Sequence, residues 1–97
     1  MAEVRAGVDQ VDRELGDLLA RRFGYMDAAA RIKPERDQVR DETRKREVID
    51  NARADAAARG LPVDAVAEIW DRLVEASIAY ELDAWDRLSA PRSIQRS

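Results

Sequence analysis

The stretch Ala2 to Ile32 reads AEVRAGVDQVDRELGDLLARRFGYMDAAARI, without a proline. Its apolar positions Val4, Val8, Val11, Leu15 and Leu18 alternate spacings of four and three, and the count continues through Arg22, Tyr25, Ala29 and Ile32. That rhythm keeps one side of a helix turned toward one neighbour, so it predicts a single long helix from about residue 2 to about residue 32. Pro34 ends it, because the residue before a proline is pushed out of helical geometry. At 1.5 Å per residue such a helix is ~45 Å long and overhangs any compact body a chain of this size can make. The overhang needs cover. A second copy of the chain, in a two-fold dimer with the long helices side by side, supplies it directly; a monomeric three-helix bundle is the alternative.

The rest of the chain is also helical in pattern. Lys33 to Gln38 reads as a short polar loop, and Val39, Val48, Ile49, Ala52 and Ala56 then set a second helix to about Arg59, with Gly60 as its stop. Pro62 suits the first turn of a third helix, in which Val63, Val66, Trp70, Leu73, Ser77, Glu81, Ala84 and Leu88 trace one side. Ser89 to Ser97 is polar, contains Pro91 and reads as a mobile tail. The sequence therefore predicts an all-α chain of three helices, the first one long, forming a helical domain over residues 1–88 and a flexible tail over 89–97.

Ninety-seven residues, 38% charged and 45% hydrophobic, have the make-up of one globular domain. There is no Cys and no His, which excludes disulfides, zinc fingers, haem ligation, thiol nucleophiles and imidazole bases. Chemistry must rest on Arg, Lys, Asp, Glu, Ser and Tyr. No run approaches the ~18 apolar residues of a membrane span, and Met1 is followed by acidic and mixed sequence, so a cytoplasmic protein is expected. A net charge of -3 argues against a nucleic-acid module. A small anionic ligand needs only a local cluster of cations.

Such a cluster is legible on the helices. Arg22 stands where the stripe calls for an apolar side chain, and Lys33, eleven residues on, falls within ~20° of it at ~100° per residue. Arg22, Met26, Ala29 and Lys33 thus share a face. Ser77 and Glu81 sit four apart on the stripe of the third helix, and Asp41, Arg44 and Val48 share a face of the second. The bland reading pairs Arg22 with Glu81 and Arg44 with Asp41 as ordinary interhelical salt bridges. Against it, all three helices aim polar groups at the core, small residues (Ala29, Ser77) leave room beside them, and cations outnumber acids. This points to an anion whose carboxylates are gripped by arginine. Arg5 is rotated about 100° from Arg22 on the same helix and cannot share its pocket, but in an antiparallel dimer it can complete the partner's.

The runs Val4-Arg5-Ala6-Gly7-Val8-Asp9-Gln10-Val11-Asp12, Leu18-Leu19-Ala20-Arg21-Arg22 and Ala29-Ala30-Arg31-Ile32-Lys33 resemble the first helix of the all-helical chorismate mutases. The resemblance continues through Val39-Arg40-Asp41-Glu42-Thr43-Arg44 and Val74-Glu75-Ala76-Ser77-Ile78-Ala79-Tyr80-Glu81, and covers nearly the whole chain before the tail. It implies an intertwined homodimer of three-helix chains in which Arg5, Arg22, Asp41, Arg44 and Ser77 bind substrate, Arg5 being donated to the other subunit. Lys33 and Glu81 take the catalytic positions. The implied reaction is the pericyclic conversion of the chorismate dianion to prephenate, in shikimate-derived aromatic amino-acid metabolism, with no cofactor. Two residues depart from the family pattern: Lys45 stands where a glutamate is frequent, and Glu81 where a glutamine is. Tyr25-Met26-Asp27-Ala28-Ala29 is similar to the sister branch that includes isochorismate-pyruvate lyase. That lyase, an amino-deoxychorismate mutase and a non-enzymatic helical interaction module are the alternatives.

Overall fold

A computed structural model describes residues 1–89. It contains α1 (Ala2–Ile32), a 3-10 turn (Arg36–Gln38), α2 (Glu42–Ala58) and α3 (Val63–Leu88), with no strand among the described residues. The all-α reading and the long first helix are as the periodicity predicts; the tail over 90–97 lies outside the described residues.

The boundaries have local causes. Lys33 closes α1 in extended geometry (φ -71, ψ 125) ahead of Pro34. The segment read as a plain loop instead carries the 3-10 turn, because Glu35 and Gln38 cap it reciprocally, the Glu35 N–H donating to Gln38 Oε1 at 3.1 Å. The second helix begins at Glu42, later than Val39 suggests. Asp41 is its N-cap, accepting the Arg44 N–H at 3.0 Å, while Val39 lies in the connection, buried against Val74 and Ile78. At the other end Gly60 takes φ 69, the left-handed geometry that a side chain resists. The Leu61 N–H then reaches Ala56 O at 2.9 Å and the Gly60 N–H reaches Ala57 O at 3.2 Å, which closes α2.

α3 is the central helix. α1 and α2 both pack on it, and not on one another, among the described residues. On one flank Phe23 meets Tyr80 edge-on with ring centroids 5.0 Å apart, and the Tyr80 hydroxyl donates to Asp27 at 3.0 Å. On the other, Glu75 takes Arg40 at 2.8 Å and Lys45 at 2.8 Å. Flanked on both sides, α3 buries Ala67, Val74 and Ile78 as well as Ser77, Glu81 and Ala84, a wider face than the single predicted line. Leu88, at the end of that line, is exposed.

Only the second half of α1 reaches α3. Residues 1–21 are exposed throughout, and the body measures 59 × 33 × 16 Å with a radius of gyration of 17.4 Å, against about 13 Å for a compact chain of this size. Val4, Val8, Val11, Leu15 and Leu18 are each about half exposed. The predicted stripe also loses two members, since Tyr25 and Ile32 stand in solvent at 69% and 78% exposure. The reason is the drift of a 3.6-residue helix against a seven-residue count, about 20° per heptad, which by Ile32 has turned that side chain ~80° from Val4. What continues the Val4 line is Arg22, Ala29 and Lys33, while the adjacent flank, with Phe23, Asp27 and Ala30, meets α3. No described helix is long and apolar enough to cross a membrane.

The ion pairs that tie α2 and its lead-in to α3 are set by pH. Hydrogen bonds from Arg40 and Lys45 hold the Glu75 carboxyl at about 2, below its ordinary 4.5. A depressed carboxyl contributes stability that is complete above the unfolded value and is lost as pH falls from 4.5 toward 2. The groups are solvated, so the contribution is small and salt-sensitive. Glu75→Gln should melt slightly below wild type at neutral pH and converge with it near pH 2, in melts followed across that range; a gap unchanged with pH would contradict this.

Candidate active site

Because α1 and α2 straddle α3 without touching, a gap remains between them with α3 as its floor. It is a cavity of about 370 Å³, within the size range of small-molecule sites. Arg22, Met26, Ala29 and Lys33 line it from α1; Arg44, Lys45 and Val48 from α2; Val74, Ser77, Ile78 and Glu81 from the floor. The connection adds Gln38, Val39 and Asp41. Of the seven residues singled out in the sequence, six therefore meet in one place, and Arg5 does not.

Arg22 and Lys33 are ~16 Å apart along α1, yet they reach side chains one turn apart on α3. Arg22 Nη1 donates to Ser77 Oγ at 2.6 Å, and Ser77 Oγ in turn donates to the Leu73 carbonyl at 2.6 Å. Lys33 Nζ donates to Glu81 Oε2 at 2.6 Å. Ser77 and Glu81 are buried, and every buried side-chain polar atom among the described residues has a partner.

The two salt bridges of the bland reading are not formed. Arg22 turns to a hydroxyl and not to Glu81, and it has no carboxylate within ion-pair distance among the described residues. Asp41 receives the Arg44 backbone amide, because a residue at the N-cap of α2 faces that helix's free N–H groups. The Arg44 guanidinium pairs with Glu47 on the exposed side of α2. Burial, and then the positive charge of Arg44, push the Arg22 guanidinium below its ordinary pKa. At Arg22 the cavity thus carries a positive charge that no carboxylate among the described residues answers.

Arg5 lies exposed on the overhang of α1, about 26 Å along the helix from Arg22. It is off the apolar stripe by a quarter turn, which leaves it open to another molecule lying along that stripe.

Sequence reasoning did not place Gln38 at the cavity, and it noted Lys45 only as a departure from the family pattern. Lys45 lies one helical turn from Asp41, so its face was readable; its destination was not. Its ammonium is drawn to Glu75 at 2.8 Å and Asp71 at 3.0 Å on α3, which raises its pKa. Gln38 reaches the cavity wall through the 3-10 turn, a conformation without a hydrophobic period to announce it.

What this arrangement can do is bind and polarise. It offers two arginines, two lysines, an aspartate and a buried glutamate around an apolar wall, and supplies no thiol or imidazole nucleophile. The sequence pattern of the chorismate mutase type II family matches residues 4–82, a span that includes all seven singled-out residues. No curated protein and no solved structure gives a significant match. The family is one of isomerases, which sets aside the reading as a non-enzymatic interaction module. By the length and position of that match, the chain belongs to the chorismate mutase type II family.

Proposed function

We propose that the cavity folds the chorismate dianion into the chair in which its ether bond breaks as a carbon–carbon bond forms, giving prephenate. The observation that carries this reading is Arg22: a half-buried guanidinium in the cavity, unpaired with any described carboxylate and repelled by Arg44. A ligand carboxylate is the charge that such a group lacks. Arg22 and Arg44 clamp the two substrate carboxylates together with Arg5 of the partner subunit, and Ser77 fixes the Arg22 guanidinium and borders the substrate. Arg44 leaves an exposed pair with Glu47 to do so, which costs little. Asp41 keeps one oxygen on the helix N-cap and offers the other to the ring hydroxyl.

The reaction is unimolecular and needs no cofactor. Catalysis comes from holding the reactive conformer and from donors aimed at the ether oxygen as charge builds on it. Lys33 and the acid form of Glu81 are those donors. A Glu81 carboxylate repels the oxygen, with Lys33 its facing cation; the acid donates a hydrogen bond. Single donors of this kind are worth about 3 kcal/mol elsewhere.

The homodimer follows from the same face of α1. Val4 to Leu18 lead in line into Arg22 and Lys33, so a second chain laid along the uncovered stripe reaches the cavity and roofs it.

The deciding experiment offers chorismate, isochorismate and amino-deoxychorismate side by side. Prephenate from chorismate as the main turnover is expected; Glu81→Gln, which keeps a donor of similar size, should retain that turnover, and Glu81→Leu, which has none, should lose it. Salicylate and pyruvate from isochorismate as the main turnover would assign the lyase reaction instead.

Arg22→Met should abolish turnover without lowering the melting temperature, because Ser77, its one hydrogen-bond partner among the described residues, keeps its bond to the Leu73 carbonyl. A marked loss of stability would make Arg22 a structural residue.

Arg5→Ala and Arg22→Ala chains, each inactive alone, should regain activity when unfolded and refolded together. Mixed dimers place both lesions in one site and leave the other whole. No recovery, or a folded monomer in sedimentation, would contradict the shared site.

A further inference from the structure

Lys33 is held by α3 at two points, and the proposed mechanism uses one of them. Its ammonium meets Glu81, while its carbonyl accepts a hydrogen bond from Trp85 Nε1 at 3.0 Å. Glu81 and Trp85 are four residues apart and so share a face of α3. The second bond answers a need created by Pro34. With ψ at 125 the Lys33 carbonyl has swung out of the helical direction, where the next turn of a helix would have supplied a donor. Trp85 supplies it from another element. Its ring is packed against the cluster of Val39, Val74 and Ile78, so the N–H is fixed in place. The neighbouring Asp86 takes Arg36 with two hydrogen bonds, 2.9 and 3.2 Å, and secures the far side of the same turn.

We propose that Trp85 is a positioning residue: its indole N–H fixes the backbone of Lys33 at the end of α1, so that the flexible lysine side chain is aimed at the reacting oxygen. The inference rests on the donor role given to Lys33 above. When the ammonium turns from Glu81 toward substrate, the bond to Trp85 is the one that persists. Helix ends fray, and a displacement of about 1 Å at a catalytic group is enough to cost substantial rate.

The test compares Trp85→Phe in the wild-type chain and in a Lys33→Met chain, reading kcat, KM and melting temperature. In the wild-type background kcat should fall about tenfold, the effect of one misplaced hydrogen-bonding group, with KM changed less than about twofold. In the Lys33→Met background the residual kcat should not fall further, since no ammonium is left to aim. Replacing Trp85 by benzothienylalanine, which keeps the bicyclic shape and lacks the N–H, should reproduce the loss even if the phenylalanine variant folds poorly. Equal losses in both backgrounds, or full kcat with benzothienylalanine, would overturn the proposal. An unchanged kcat in Lys33→Met alone would overturn the role of Lys33 itself, and this inference with it.

Discussion

Two helices that both pack on a third and not on each other leave a gap, and in this chain nearly everything of consequence follows from that gap. α3 provides the floor and α1 and α2 the walls. The packing is possible because α3 offers two different flanks: Val74 and Ile78 pack with Val39 and Val48, while Ser77 and Glu81 take hydrogen bonds from Arg22 and Lys33 of α1. Had α1 and α2 closed on one another, the polar residues between them would have required mutual neutralisation. Arg22 is spared that and stays cationic beside Arg44. Its charge is balanced by no described side chain, so the fold stores an electrostatic demand that a dicarboxylate can meet.

The two ends of the cavity are different in kind. At the Lys33 end, charge is already paired: an ammonium and a buried carboxyl 2.6 Å apart, with Trp85 holding the lysine from behind. At the Asp41 end, α2 contributes a capping carboxylate, an arginine occupied on the surface and a lysine tied to Glu75 and Asp71. On the proposed reading, the first end presents donors to one atom. The second has side chains whose present partners are exposed and exchangeable, so a bound ligand can compete for them at little cost.

Much of this was legible in the sequence because helical rotation is simple arithmetic. Eleven residues bring Lys33 back over Arg22, and four bring Glu81 over Ser77, so the convergence of those residues could be read before any coordinates. Arg5 was singled out by its rotation on α1 together with an antiparallel dimer, and the family resemblance implied the same place for it; on its bare overhang it meets no site within one chain. What was not legible has physical causes as well. The heptad count placed Tyr25 and Ile32 inward, since a count carried over four heptads accumulates the drift of a straight helix. Val39 looked like the start of α2, because an apolar residue anchoring a connection to the core leaves the same trace as one on a helix face. The Trp85 bond to a backbone carbonyl has no sequence signal at all, and the salt bridges of the bland reading, Arg22 to Glu81 and Arg44 to Asp41, did not form because reach and capping geometry decide partners, not charge alone.

The central claim is that unanswered positive charge around Arg22 makes this cavity a dicarboxylate site. A stable bicyclic dicarboxylate that mimics the chair of the rearrangement tests it most directly, by calorimetric titration and by its effect on the melting temperature of the wild-type protein at low and high salt. The account requires saturable binding at one equivalent per chain, a melting temperature that rises with ligand concentration, and an affinity weakened by salt. Neither heat of binding nor any rise in melting temperature, with the protein folded, would contradict it.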